Sequence, residues 1–195
     1  MTLLLALDDT DTLSSRGTGR LARAIADLLG QEYPVLGVTR HQLYVHESIP
    51  YTSHNSCAVI HIGLTGIDQE DRIFSLAREH MRSDFIEGSD PGIAIAKRAA
   101  VSPEVIAFGQ DAKQMVLTQE QARALAKMSS IRLEGLGGTE DGVIGALAGI
   151  GLAAMGNDGR FIQKGRIREI TGPTTAETLL GAGIDLILTL EDIPV

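Results

Sequence analysis

Thr2-Leu3-Leu4-Leu5-Ala6-Leu7-Asp8-Asp9-Thr10-Asp11 is the stretch that decides the fold of this 195-residue chain. Residues 2–7 form a continuous uncharged run that reads as a buried strand. The run stops on three carboxylates within four residues. Acids at the end of a buried strand sit at the mouth of a sheet, where open α/β folds place their ligands. Three neighbouring carboxylates repel one another, and a bound cation or nearby arginine lowers that cost. Asp8, Asp9 and Asp11 are therefore candidate magnesium ligands at a nucleotide site, magnesium taking one or two protein carboxylates plus phosphate oxygens. The alternative is a capped turn whose acids face water.

After the strand, a polar loop runs to Arg16-Gly17-Thr18-Gly19-Arg20. From there Leu21, Ala24, Ile25, Leu28 and Leu29 recur at helical spacing until Gly30. Gly17 and Gly19 leave backbone amides free to turn towards an anion at the helix start. Thr18 is placed to accept or relay a phosphoryl group, or to cap the helix. Val35 to His46 is rich in β-formers, and Ser56 to Leu64 reads as a further strand. Thr65 with Asp68 reads as a capping pair for a helix over 68–81. Gly92 to Ala96 supplies another strand. The order predicts a mixed α/β fold: a mixed sheet with packed helices, a split βαβ-like first half, and one compact body with a soft seam near residue 100.

In the second half Ser102-Pro103-Glu104 opens a helix, and Thr118 with Gln121 opens another. Residues 131–133 form a short strand. Gly135-Leu136-Gly137-Gly138-Thr139-Glu140-Asp141-Gly142 is a glycine loop entering a helix that Thr139 caps and that runs to about Met155. It is neither a Walker A loop nor a dinucleotide fingerprint. Gly137, Gly138, Thr139, Asp141 and Gly142 are candidate phosphate contacts, as is Thr10 in the acid turn. The helix is apolar all round and contains Gly142, Gly145, Gly149 and Gly151, each costing about 1 kcal/mol against alanine. Close approach of a backbone or ligand must offset that cost. Residues 160–170 read as a hairpin whose Arg160, Lys164, Arg166 and Arg168 form a solvated basic face, or one that meets a phosphate-rich partner. A closing helix over 176–180 and a strand over 185–190 end the chain. His41, His46, His54 and His61 read as polar strand and loop positions, since no pair has the i, i+4 spacing of a zinc helix.

Composition bounds the function. Seventeen basic residues against 25 acidic ones give a net charge of −8, which disfavours nucleic-acid binding along a whole face. Four lysines stand against thirteen arginines, so most positive charge is of the forked, phosphate-matching kind. A single cysteine, Cys57, excludes an intrachain disulfide framework and a cysteine-rich zinc site. No signal peptide or membrane-spanning stretch is recognisable, and a cytoplasmic protein is expected.

Taken in order, Leu7-Asp8-Asp9-Thr10-Asp11, Ile49-Pro50-Tyr51-Thr52 with Asn55, Asp90-Pro91-Gly92 and the run Gly138-Thr139-x-Asp141-Gly142-Val143-Ile144-Gly145-Ala146-Leu147-Ala148-x-Ile150-Gly151 carry a resemblance. From about residue 3 to 155 the chain resembles the kinase-like amino-terminal domain of the archaeal agmatinylcytidine synthetase that modifies an isoleucine tRNA. The resemblance implies ATP and magnesium as cofactors, with Asp8, Asp9 and Asp11 holding metal and triphosphate. It puts Thr18 where the family's phosphorylated threonine lies, and the 137–142 loop along the same cleft. Gly17-Thr18-Gly19 replaces a Cys-Thr-Thr stretch, and Thr52-Ser53-His54-Asn55 replaces Thr-Arg-Gly-Asn. The family's ferredoxin-like, oligonucleotide-binding and zinc-ribbon domains have no counterpart, so a standalone kinase-like domain over 1–195 is expected. The enzymatic reading is an ATP-dependent phosphotransferase or ligase-like activity. The alternatives are a non-catalytic nucleotide-binding or scaffold subunit, and an RNA-modification enzyme acting with a protein partner that supplies the missing domains.

Overall fold

Leu3 through Leu7 are all fully buried because their strand, β1 (Thr2–Asp8), lies in the middle of a sheet covered on both faces. The computed structural model describes residues 1–15, 17–52, 54–64, 66 and 69–195. The further strands are β2 (Val35–Gln42), β3 (Ser56–Gly63), β4 (Gly92–Lys97), β5 (Arg132–Gly135) and β6 (Arg160–Gln163), in the order β5-β4-β1-β3-β2-β6. The helices are α1 (Thr18–Leu29), α2 (Glu70–Ser83), α3 (Pro103–Asp111), α4 (Gln119–Met128), α5 (Gly142–Met155) and α6 (Ala176–Gly181).

The mixed α/β class and the split first half are as expected. β1 and β2 are both antiparallel to β3, which lies between them, so β1-α1-β2 is a βαβ unit with a strand inserted. β3-α2-β4 is split by β1 in the same way. Every hydrogen-bonded pair is consequently antiparallel rather than mixed: each parallel pair is kept apart by the strand between.

Strand alternation sorts the core into two layers. Leu3, Leu5, Leu7, Ile60, Ile62, Ile93 and Ile95 face α1 and α2, where Ile25, Leu29 and Phe74 meet them. Leu4, Ala6, Cys57, Val59, Ala94 and Ala96 face α3, α4 and α5. The small side chains of that second face let α5 sit close to the sheet, and α3 and α4 cover its other side. An all-apolar helix is what a site buried on two sides requires. Its glycines mark the contacts: a Cβ on Gly149 would lie 3.0 Å from Cys57 Sγ, and one on Gly151 would strike the Val105 carbonyl of α3. Close approach of neighbouring groups thus answers the propensity cost.

Local signals hold at two helix starts, of which α4 alone is closed by its own side chains. Ser102 with Pro103 opens α3, and Thr118 with Gln121 forms a full capping box on α4. Three expectations change. α5 begins at Gly142 with Asp141 at the cap position, because Gly138 and Glu140 turn left-handed at φ 59° and 65° and reverse the chain past Thr139. Residues 160–170 do not form a hairpin: β6 pairs with β2 instead, and the chain then turns into a single 3₁₀ turn, Ile167–Glu169. Over 185–190 only one bridge forms, Leu188 to Pro194. The capping pair Thr65 and Asp68, like Arg16 and Ser53, lies outside the described residues. Among those described, no helix is long and apolar enough to cross a membrane.

Candidate functional site

The acid turn lies where β1, β4 and the start of α5 meet. Asp8 is registered opposite Gly92 of β4. Its carboxyl packs so tightly on Gly145 that any Cβ there would overlap Oδ2, which is why α5 carries glycine at that turn. Asp9 takes a left-handed conformation, φ 52°, and its carbonyl accepts the Asp90 amide at 3.1 Å. Strain of this kind concentrates at functional turns. Burial, and then the neighbouring charges of Asp9 and Asp11, push the Asp8 carboxyl up to about 8. Burial, followed by Asp90, Asp11 and Asp141, pushes Asp9 up to about 6. The turn is thus short of positive charge.

Asp11 works differently. Its Oδ1 accepts from the Thr18 hydroxyl at 2.9 Å and from the Thr18 amide at 3.3 Å, and its Oδ2 accepts from the Thr52 hydroxyl at 2.9 Å. Gly17 holds the cap position of α1 without a side chain to offer, so Asp11 supplies the missing acceptor from seven residues upstream. Thr18 is therefore the first helical residue and not the cap. It is 7% exposed, and it accepts from the hydroxyl of Thr10 at 3.1 Å. Thr10 itself lies buried beneath it.

Two clefts meet at this hydroxyl. The first, of about 240 Å³, has an acidic end of Asp8, Asp9, Asp11 and Asp141 and an apolar wall that includes Leu43, Ile49, Tyr51, Val116 and Ile144. The second, of about 380 Å³, is lined by Gly17, Gly19 and the arginines at 20, 23, 40, 160 and 168. Asp11, Thr18, Thr52, His54 and Ser56 border both.

The glycine loop is placed less directly. Asp141 reaches the first cleft, whereas Gly137, Gly138, Thr139 and Gly142 do not line it. Asp90 occupies the loop's donors: its carboxylate takes the Thr139 amide and its carbonyl takes the Gly142 amide at 2.8 Å. Gln119 of α4 ties the loop down through the Thr139 carbonyl at 2.7 Å and Asp141 Oδ1 at 2.6 Å. Asp90 thus holds the loop in place, a role that the glycine pattern hides, although Asp90-Pro91-Gly92 stands out in the sequence. Among the described residues, no three His, Cys, Asp or Glu side chains converge as a metal-binding set. Hard carboxylate oxygens nevertheless suit magnesium, which needs only one or two of them when phosphate and water complete its shell.

A second polar cluster lies within the sheet itself. The Thr39 hydroxyl is 2.8 Å from both His41 Nε2 and His61 Nε2. His41 Nδ1 meets Asp158 Oδ1 at 2.9 Å, and Asp158 also pairs with Lys113. Burial holds both imidazoles below their ordinary range, His61 at about 4 with further lowering by His41, Arg98 and Lys164.

At the level of sequence, no protein-family model and no curated protein matches the chain. Solved structures do. The crystal structure of a tRNA fluorescent labeling enzyme superposes with a TM-score of 0.66 at 22% identity, over 77% of this chain and 36% of that one. Apo TiaS, a tRNA agmatidine synthetase, gives 0.65 at 21% over 77% and 35%. TiaS in complex with its tRNA and ATP gives 0.65 at 22% over 77% and 36%. The chain thus has the fold of a region that spans about a third of the length of these tRNA-modifying enzymes.

Proposed function

We propose that the chain is a magnesium-dependent, ATP-binding phosphotransferase-like domain related to the tRNA cytidine agmatinylation enzymes. The observation that carries the reading is the Thr18 hydroxyl, hydrogen-bonded to the Asp11 carboxylate at 2.9 Å where an acid-ended cleft opens. A hydroxyl donating to a carboxylate is the arrangement of a nucleophile and its base. The fold shared with TiaS, solved in complex with ATP, supports the nucleotide.

In this reading the apolar wall of the first cleft takes the base, and the acidic end faces the phosphates. Magnesium, when bound, supplies neutralisation of the β- and γ-phosphates, and Asp8 and Asp9 are the residues that would hold it. Asp11 would orient the Thr18 oxygen and accept its proton as that oxygen takes the γ-phosphoryl group, the bond from the γ-phosphorus to the bridging oxygen breaks and ADP leaves. Thr10 and Thr52 keep that pair in one rotamer. Catalysis then comes from orientation and charge stabilisation, as in phosphoryl transfer generally.

Calorimetry with ATP, in magnesium and in chelator, tests the reading. Binding that requires magnesium and is weakened at least tenfold by Asp9→Asn is expected. ATP binding that is absent, or equal in chelator, overturns it. A non-catalytic nucleotide-binding subunit is favoured by one observation: the Thr139 and Gly142 amides are already taken by Asp90. It predicts magnesium-dependent binding with no phosphate released and none transferred to Thr18.

A further inference from the structure

The second cleft holds a charge imbalance that phosphoryl transfer in the first does not explain. Arg20, Arg23, Arg40, Arg160 and Arg168 line it against a single acid, Asp11, which Thr18 and Thr52 already engage. None of the five makes an ion pair, although nine other arginines and lysines among the described residues do. Two of the forks are steered by neutral partners instead. Arg40 donates to Ser56 Oγ at 2.9 Å, and Arg168 to the Ile162 carbonyl at 3.2 Å. In a chain of net charge −8, acids are plentiful, yet none is placed against these groups.

The five arginines fall into two groups. Arg40 and Arg160 stand directly opposite each other in the β2–β6 register, a position in which like charges oppose strand pairing. These two also line a neighbouring groove, with Gln42, His54 and Gly159, that the other three do not reach. Arg20, Arg23 and Arg168 make the inner group. Burial and then Arg168 hold Arg23 below the usual guanidinium range, with Arg20 adding to the effect and Asp27 of the same helix working against it. Like charges gathered in two places cost stability in each until an anion enters. The wall that completes both groups is seated by glycine: Gly37 leaves room for the Phe161 ring of β6, and Gly19 for Ile162.

We propose that this cleft binds a small molecule carrying two phosphate groups, one held by Arg20, Arg23 and Arg168 and the other by Arg40 and Arg160. Each group of arginines presents two or three forks, more than the single charge of a carboxylate calls for. A dianionic phosphate with three free oxygens matches them, each fork engaging it bidentately. The volume, about 380 Å³, is that of a small-molecule pocket. Asp11, Thr18, Thr52, His54 and Ser56 border both clefts, so the ligand lies beside the nucleotide site and not within it. The site stands on the placement of the arginines and does not depend on phosphoryl transfer at Thr18.

Calorimetry at low salt with inorganic phosphate, pyrophosphate, fructose 1,6-bisphosphate and citrate tests the site. Chelator is present throughout, which keeps pyrophosphate away from the magnesium position, and magnesium–ATP is titrated separately. Pyrophosphate or the bisphosphate is expected to bind at least about tenfold tighter than inorganic phosphate. Arg23→Gln and Arg160→Gln should each remove that advantage, while Lys127→Gln keeps it and magnesium–ATP affinity holds in all three. Without ligand, the two arginine variants should melt above the wild type at low salt, because each relieves a like-charge contact. The tighter probe should raise the wild-type melting temperature. Arginine variants that melt below the wild type would make these side chains structural and overturn the site. So would two probes no tighter than inorganic phosphate, citrate bound as tightly as either, or an advantage that survives both variants. A 12-nucleotide RNA that displaces the bound probe at about a hundredfold lower concentration would assign the cleft to a nucleic-acid strand and overturn it likewise. Probe binding without magnesium–ATP binding would overturn the phosphotransferase reading and leave this site standing.

Discussion

The two faces of the sheet are built on opposite rules. Beneath α1 and α2 the strands present leucine and isoleucine, and Phe74 fills the layer. Beneath α5 they present alanine, Cys57 and Val59, and the helix answers with glycine. The first face gains stability from volume, the second from proximity. The acidic turn emerges from the second, because only a helix lying this close can bring Gly145 against Asp8. Towards β2 that same face also carries Thr39, His41 and His61, whereas the other face carries Val38, Ala58 and Ile60 with Arg40 beside them.

Removing volume should damage the first face most. Phe74→Ala is expected to cost about 3–5 kcal/mol in urea unfolding, and a cost below about 1 kcal/mol would mean the layer can collapse around the gap. Acid should act through the second face. His41 and His61 are held neutral when folded, while unfolded imidazole titrates near 6.5, so their contribution is full above that pH. It is lost as pH falls towards about 4. The loss for His61 amounts to at most roughly 3 kcal/mol, read as the difference in unfolding free energy between wild type and His61→Gln at pH 7.5 and 4.5. A difference that does not change with pH would remove the buried imidazole from the account.

Adding volume should damage the second face instead. Gly149→Val presses on Cys57 Sγ and Val59 and should cost about 2 kcal/mol by thermal melting; a stabilised variant would show that α5 can lift freely. The smallest effect tests a helix outside both contacts. Thr118→Ala removes the capping box of α4 and should cost about 1 kcal/mol in the same melt.

What could be read in the sequence follows the range of the interaction. The uncharged run of β1, the Pro103 start and the Thr118–Gln121 box are local and were legible residue by residue. The interior glycines of α5 announced close contact without naming Asp8, Cys57 or Val105 as the groups approached. Thr139 reads as a cap, but the left-handed Gly138 and Glu140 beside it decide otherwise, and Asp90, 49 residues away, claims its amide. The arginine-lined cleft was the least legible. Arg20 and Arg23 look like the polar side of a helix, and Arg160 to Arg168 like a hairpin face. Only the pairing of β6 with β2 brings them together, while Lys164 and Arg166, from the same basic stretch, go to Asp185 and Glu169 instead.

The outermost strands carry one more consequence. β5 and β6 are each four residues long, and they bound the sheet on its two sides. β5 carries Arg132 and Glu134, tied to Asp71, Arg78 and Arg82 of α2, and β6 opens on an arginine. Strands this short and this charged give an incoming chain little backbone to template upon. A protein with an interior rich in leucine, isoleucine and alanine thereby guards itself at its margins against edge-to-edge stacking into fibres.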